Sequence, residues 1–372
     1  MKTPLHLIDT TLREGEQTVG IHFTTEQKKE IIKGLALVGI SEIEMGIASP
    51  LTHDLTEIMT SCRRQHPGIK RSLWCRCREE DIHFASALSP DRLSLSIPVS
   101  DLHLITKLGK DRTWAEQAMQ SAIRLTLREG MEVSVGFEDA TRADPAFLFR
   151  MARLAEDHGA FRIRLADTVG LATPVQIISL VRAIKGVLHR CDVAIHTHND
   201  FGMATANAMA ALESGATWAD ATILGLGERS GCARLEELAG YLGMMCLDAR
   251  IQAQHLKPLA GYVAGITHRD IEDCRPVLGE KIFTCETGLH LQGLHKDPAT
   301  YEPYPPEKVG AERHLLIGAK CGRNAIKSRL AVLGVEINED LLLQKTRNLR
   351  DRAISFGKAL DDGEILSVML PA

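Results

Sequence analysis

The chain has 372 residues, 44% of them hydrophobic and 25% charged, the composition of an ordinary globular protein able to bury a large core. Its formal charge of -4 provides no field to gather nucleic acid or an acidic membrane surface, so neither partner is expected. No apolar run reaches the roughly 20 residues of a membrane-spanning helix, and the first strand begins too near Met1 for a signal peptide; nine cysteines without a Cys-x-x-Cys pair read as reduced thiols, and a cytoplasmic protein is expected.

From the N-terminus, β-rich runs are expected at 5–12, 42–47, 71–77, 92–98, 132–138, 162–168, 192–199 and 218–224. Helical patterns separate them. Thr24-Thr25-Glu26-Gln27 starts the first, ahead of Ile31, Ile32 and Leu35, and Gly39 ends it. Those at 145–158 and 174–188 open on Pro145 and Pro174, in the first turn, where a missing N–H costs nothing. Cys75 and Cys77 alternate along the third strand as ordinary buried residues. This rhythm predicts an α/β fold, a closed (β/α)8 TIM barrel. An open doubly wound sheet competes, but no G-x-G-x-x-G follows the first strand. Beyond about residue 251 the rhythm stops, and a Gly/His/Pro-rich stretch at 286–306 leads to helices at 324–333 and from 339. The expected division is a barrel over 1–260 and a mainly helical subdomain or lid over 261–372.

Polar residues cluster where predicted strands end: Arg13 and Glu14, Arg76, Glu138 and Asp139, Asp167 and Thr168, His196 to Asp200, and 225–229. In a barrel all these ends form one mouth, the place where barrel enzymes hold their chemistry. His196 and His198, two apart on a strand, project from one face and so present two nitrogens to a metal. The acidic segment Asp9-Thr10-Thr11-Leu12-Arg13-Glu14-Gly15-Glu16-Gln17 is the source of an oxygen ligand. A divalent metal held by two nitrogens and a carboxylate is the expectation.

These motifs, with Ala166-Asp167-Thr168-Val169-Gly170, His196-Thr197-His198-Asn199-Asp200-Phe201-Gly202 and Gly225-Leu226-Gly227-Glu228-Arg229, occur in one order along nearly the whole chain. In that order they resemble the metal-dependent TIM-barrel lyase and acyltransferase family of isopropylmalate, citramalate and homocitrate synthases. Within it, Trp74-Cys75-Arg76 and the segments 95–101 and 137–144 are most similar to homocitrate synthases of nitrogenase-cofactor biosynthesis. The resemblance to those enzymes carries the expectation of no leucine-binding regulatory domain. The resemblance implies a Claisen-type condensation, in which the enolate of acetyl-CoA attacks the ketone of 2-oxoglutarate and thioester hydrolysis gives homocitrate and CoA.

The resemblance also assigns roles. Glu14, His196 and His198 are the implied ligands of Mg²⁺, Mn²⁺ or Zn²⁺, with Arg13 neutralising charge that develops on the ketone oxygen. His290 is the implied base, assisted by Tyr301 and positioned against Glu138 and Thr168; this requires the C-terminal segment to reach over a barrel mouth, which the family commonly achieves from a partner subunit, so a homodimer is expected. A distal carboxylate on the acceptor calls for a guanidinium, assigned to Arg76 with Arg78 as the neighbouring choice. Two positions depart from the family pattern: Cys232 stands where relatives often carry asparagine, and is expected to lie outside the ligand set, and Gly318-Ala319-Lys320-Cys321-Gly322 replaces Gly-Lys-His-Ser-Gly. The alternatives are a related acetyl-CoA:2-oxoacid acyltransferase making citrate, citramalate or an isopropylmalate-type product, and a lyase that cleaves an acyl-CoA or oxoacid. A non-catalytic descendant is disfavoured by the intact Arg13, Glu14, Glu138, His196 and His198.

Overall fold

Alternating sequence becomes eight parallel strands: β1 (His6–Asp9), β2 (Glu42–Ile47), β3 (Lys70–Arg76), β4 (Arg92–Pro98), β5 (Glu132–Glu138), β6 (Arg162–Asp167), β7 (Asp192–Thr197) and β8 (Trp218–Ala221). In the computed structural model, which describes residues 4–369, each strand pairs with the next and β8 returns to β1, Leu7 lying opposite Ala219, so the sheet closes. The expected barrel is the observed one. β1 and β8 are shorter than the sequence suggests. After Asp9 the chain turns, and the N–H groups of Arg13 and Glu14 both bond to the Thr10 carbonyl, at 3.0 and 2.7 Å, which lifts these two side chains to the barrel's end.

Local signals explain the helices that follow the strands. In α1 (Thr25–Val38), Thr24 accepts from the Gln27 N–H and Gln27 returns the bond to the Thr24 N–H. Gly39 ends α1 at φ +90°; a Cβ there would lie 2.2 Å from the Arg250 carbonyl oxygen, so only glycine fits. Between α2 (Leu55–Gln65), α3 (Glu79–Ala87) and α4 (Arg112–Arg128), a π-helical turn at His103–Lys107 interrupts the pattern. Asp144 caps α5 (Pro145–Asp157), Thr173 caps α6 (Pro174–Val187), and α7 (Ala204–Glu213), α8 (Leu235–Met244) and α9 (Leu256–Thr267) complete the first of two compact units, which ends at Asp270. No described helix is long and apolar enough to cross a membrane.

Residues on the outer face of the strands are the aliphatic core, with Ile43, Leu73, Leu93, Leu95, Val133, Val135, Ile163, Leu165, Val193 and Ile195 fully buried. The interior is polar instead. β2 and β6 are not neighbours in the sheet, yet Arg162 reaches across the lumen to both oxygens of Glu42 at 2.8 Å and to Ser134 Oγ at 3.0 Å. Above it, Glu44 accepts from Arg164 Nη1 at 2.9 Å and from Arg13 Nε at 2.6 Å. Ser72, Ser94 and Ser134 are small and buried where these arginines are large, so the arginine side chains have room to cross the lumen.

The second unit begins at Ile271. Its helices α10 (Gly288–Lys296), α11 (Arg323–Val332), α12 (Glu339–Phe356) and α13 (Asp362–Met369) bury Leu291, Ile326, Leu330, Leu342, Leu349 and Ile365 in a core of their own. Strands β9 (Thr284–Cys285) and β10 (His314–Leu315) pair in parallel beside them.

Candidate active site

Strand alternation delivers His196 and His198 inward from the end of β7, and the turn after β1 delivers Glu14. All three are buried, and their ligating atoms lie within 4.8 Å of one another, the one such group of histidine, cysteine and carboxylate side chains among the described residues. The two Nε2 atoms are 3.3 Å apart, and His196 Nε2 is 3.8 Å from Glu14 Oε2. His196 is oriented from behind: its Nδ1 bonds Asp220 Oδ2 on β8 at 2.9 Å, and Asp220 is itself held by Arg164 Nη1 at 3.0 Å. With its proton on Nδ1, His196 turns the lone pair of Nε2 toward His198 and Glu14, the carboxylate–histidine arrangement of metal sites.

The electrostatics fit a cation. Burial, reinforced by the neighbouring His196, pushes the His198 pKa down to about 3, so its ring is neutral at working pH, the form that can ligate a metal. Burial alone would raise Glu14, but the Arg13 guanidinium beside it overrides burial and holds the carboxylate below its ordinary value. With its amide nitrogen turned toward Glu14, Gln17 can donate to both carboxylate oxygens, at 3.0 and 2.9 Å. His198 Nδ1 is buried without a hydrogen-bond partner among the described residues. Two imidazoles and one carboxylate converging on a small volume are a donor set for a divalent ion.

The cavity in front of these residues holds about 250 Å³, and its wall includes Arg13, Trp74, Ser96, Lys107, Glu138, Arg164 and Thr168. Arg13 touches both Glu14 and Glu44 and so bridges the ligand set and the lumen. Glu138 ends β5 and accepts from His103 Nδ1 and Lys107 Nζ, each at 2.6 Å; both donors come from the π-helical turn. Thr168 Oγ1 accepts the Asp139 N–H at 2.8 Å, and Asp139 sits at φ +61° with its carboxylate held by Ser100 and Arg142. Strain at the residue after Glu138 is thus fixed by three bonds.

Of the residues singled out in the sequence, the structure brings Arg13, Glu14, Glu138, Thr168, His196 and His198 to one cavity. Arg76 is not on its wall. It points to an adjoining cavity lined also by Arg78, Lys110 and Trp114, where Asp81 grips its guanidinium through two bonds at 2.7 and 2.9 Å. His290 and Tyr301 lie in the second unit, their ring centroids 4.3 Å apart. Gly293, one turn after His290, makes this possible, since a Cβ there would lie 2.5 Å from the Tyr301 ring. Cys232 is buried with its thiol on Thr222 Oγ1 and the Leu226 carbonyl, at 3.1 and 3.3 Å, and burial pushes its pKa far up, so it is a neutral thiol outside the ligand group.

Sequence reasoning missed Asp220, Arg164, His103 and Lys107. Asp220 carried a signal, an acid in the middle of a short apolar strand, where an unpaired charge would be untenable. The π-helical turn that brings His103 and Lys107 to Glu138 left no such signature.

Comparison with known proteins adds an independent line. Residues 4–263 match the HMGL-like family model, and residues 277–355 match the homocitrate synthase post-HMGL domain-like model. The chain is 40% identical over 331 residues to a homocitrate synthase of Frankia alni, covering 88% of this chain and 93% of the relative. It is 36% identical over 366 residues to 2-isopropylmalate synthase 2 of Caldanaerobacter subterraneus subsp. tengcongensis, covering 98% and 94%. Among solved structures, the hydroxymethylglutaryl-CoA lyase of Pseudomonas aeruginosa superposes with a TM-score of 0.65 at 17% identity, over 72% of this chain and 94% of that one, a likeness of fold.

Proposed function

Because this chain belongs to the HMGL-like family, among the isopropylmalate and homocitrate synthases, acyltransferases that join acetyl-CoA to a 2-oxoacid in a metal-dependent reaction, we propose that its acceptor is 2-oxoglutarate and its product homocitrate. The observation that carries this reading is the convergence of Glu14, His196 and His198 beside a cavity whose wall also includes Arg13, Lys107 and Arg164, groups able to meet the carboxylates of an oxoacid. Glu14, His196 and His198 would hold a divalent ion, Mg²⁺, Mn²⁺ or Zn²⁺. When bound, that ion supplies Lewis acidity toward the oxoacid.

The remaining work falls to side chains. Arg13 meets the oxygen of the acceptor ketone and stabilises the negative charge that grows there as the carbon–carbon bond forms. Glu138, fixed by His103 and Lys107, and Thr168, fixed on the strained Asp139 turn, orient the reacting groups. His290 takes the methyl proton of acetyl-CoA, with Tyr301 beside it to stabilise the enolate. Arg76, engaged by Asp81 in the adjoining cavity, is placed with Arg78 and Lys110 to meet the anionic CoA instead of the acceptor. The chain would act as a homodimer in the cytoplasm.

The test is turnover of the metal-loaded protein with acetyl-CoA and a panel of 2-oxoacids, read as free thiol release and product mass. Homocitrate from 2-oxoglutarate, at a higher kcat/KM than any product from pyruvate, oxaloacetate or 2-oxoisovalerate, is expected. Preference for 2-oxoisovalerate would make the chain an isopropylmalate synthase, and cleavage of a hydroxyacyl-CoA without any condensation would make it a lyase.

A further inference from the structure

The cavity contains a guanidinium edge that the protein leaves unused. Arg164 is 4% exposed, and Nη1 alone meets the acids beside it, Glu44 and Asp220. Among the described residues Nε and Nη2 have no hydrogen-bond partner. They face Gly136, where a Cβ would lie 3.7 and 3.9 Å from them, so the missing side chain leaves this edge uncovered. The neighbouring strand adds a hydroxyl. Ser96 pairs in register with Gly136, and Gly136 with Arg164, so the three form one row across β4, β5 and β6, and all three line the cavity of Glu14 and the histidines.

An arginine edge of this kind takes a carboxylate through two parallel bonds, and here it belongs to a residue that lines the cavity. The other cations of the cavity are placed differently: Arg13 is engaged by Glu14 and Glu44, and Lys107 is half exposed on Glu138. We propose that Arg164, with the Ser96 hydroxyl and the space over Gly136, receives the second carboxylate of a dicarboxylic 2-oxoacid and so sets the acceptor preference. The assignment to Arg164 replaces the one that sequence gave to Arg76, and it rests on the reading of the cavity as the oxoacid site.

The experiment measures binding, apart from turnover. The Mn²⁺-loaded protein, without acetyl-CoA, is titrated calorimetrically with 2-oxoglutarate and with pyruvate. Gly136→Val, which covers the edge without removing a buried charge, should weaken 2-oxoglutarate on the order of 10²-fold and pyruvate by less than about threefold. Arg164→Lys, which keeps a cation for Glu44 and Asp220 but loses the fork, should weaken 2-oxoglutarate about tenfold. Equal losses for both acids, or no loss in either folded variant, overturn the proposal. Thiol release by the unsubstituted protein separates the two readings: selective 2-oxoglutarate binding that Gly136→Val abolishes upholds the Arg164 receptor even where no condensation occurs, whereas condensation with unaltered selectivity in both variants upholds the synthase and removes the receptor.

Discussion

Replacing Asp220 with alanine tests whether the lumen controls the metal site. Asp220 is 2% exposed; its Oδ2 accepts from His196 Nδ1 at 2.9 Å and from Arg164 Nη1 at 3.0 Å. Without the carboxylate, His196 loses the bond that fixes its ring and tautomer. Losses of this kind weaken metal binding about 10–100-fold, or about 1.4–2.7 kcal/mol. The substitution also leaves Arg164 with Glu44 alone, and breaking one arm of a buried ionic cluster costs about 3–5 kcal/mol of stability. A domain holds about 5–15 kcal/mol, so the variant should fold with a lowered Tm, and circular dichroism at the working temperature must confirm it before metal is titrated. Calorimetric titration of metal-free protein with Mn²⁺ and Zn²⁺ then gives the affinity. Asp220→Asn, which retains an acceptor but not the charge, should lose about tenfold or less. A folded Asp220→Ala variant with unchanged affinity for both ions would refute the argument that His196 is a ligand oriented through Nδ1.

Three further outcomes are expected. His196→Ala and His198→Ala together should abolish stoichiometric metal binding while the circular dichroism spectrum stays that of the barrel, because the mouth is not the core; full metal content in the folded double variant would dismiss the ligand assignment. His290→Ala should bind metal and oxoacid normally yet exchange the methyl protons of acetyl-CoA with solvent about 10²–10⁴-fold more slowly, and undiminished exchange by NMR would return the lyase reading to equal standing. The acid limb of stability should depend on Glu42, whose pKa burial alone would raise but which Arg162 and Arg92 hold at about 2. With the folded value below the ordinary 4.5, its contribution is full above about pH 4.5 and is lost as pH falls toward 2. That amounts to about 3 kcal/mol, so urea unfolding of Glu42→Gln should show a weaker loss of stability between pH 4.5 and pH 2.5 than the unsubstituted chain, and parallel curves would contradict the assignment.

Sequence by itself determined the order of strands and helices, because local signals are written in neighbouring residues: the Thr24–Gln27 and Thr173–Gln176 capping pairs, proline at the first turns of α5 and α6, and Gly39 at a position no other residue fits. Eight repeats of that rhythm, with no dinucleotide-binding fingerprint after the first strand, favour closure over an open sheet. It also placed the polar residues of the mouth, since strand parity puts His196 and His198 on one face whatever surrounds them. What it did not determine was the interior. Arg162 meets Glu42, and Arg164 meets Glu44, each 120 positions away, on strands that touch only through the lumen once the barrel has closed. The same closure decided that Asp220 stands behind His196, that Arg76 turns outward to Asp81, and that Arg164 presents a free edge where Gly136 has no side chain. Charges in a low-dielectric lumen are fixed by partners brought together from distant strands, and such partners leave no periodic trace in the chain.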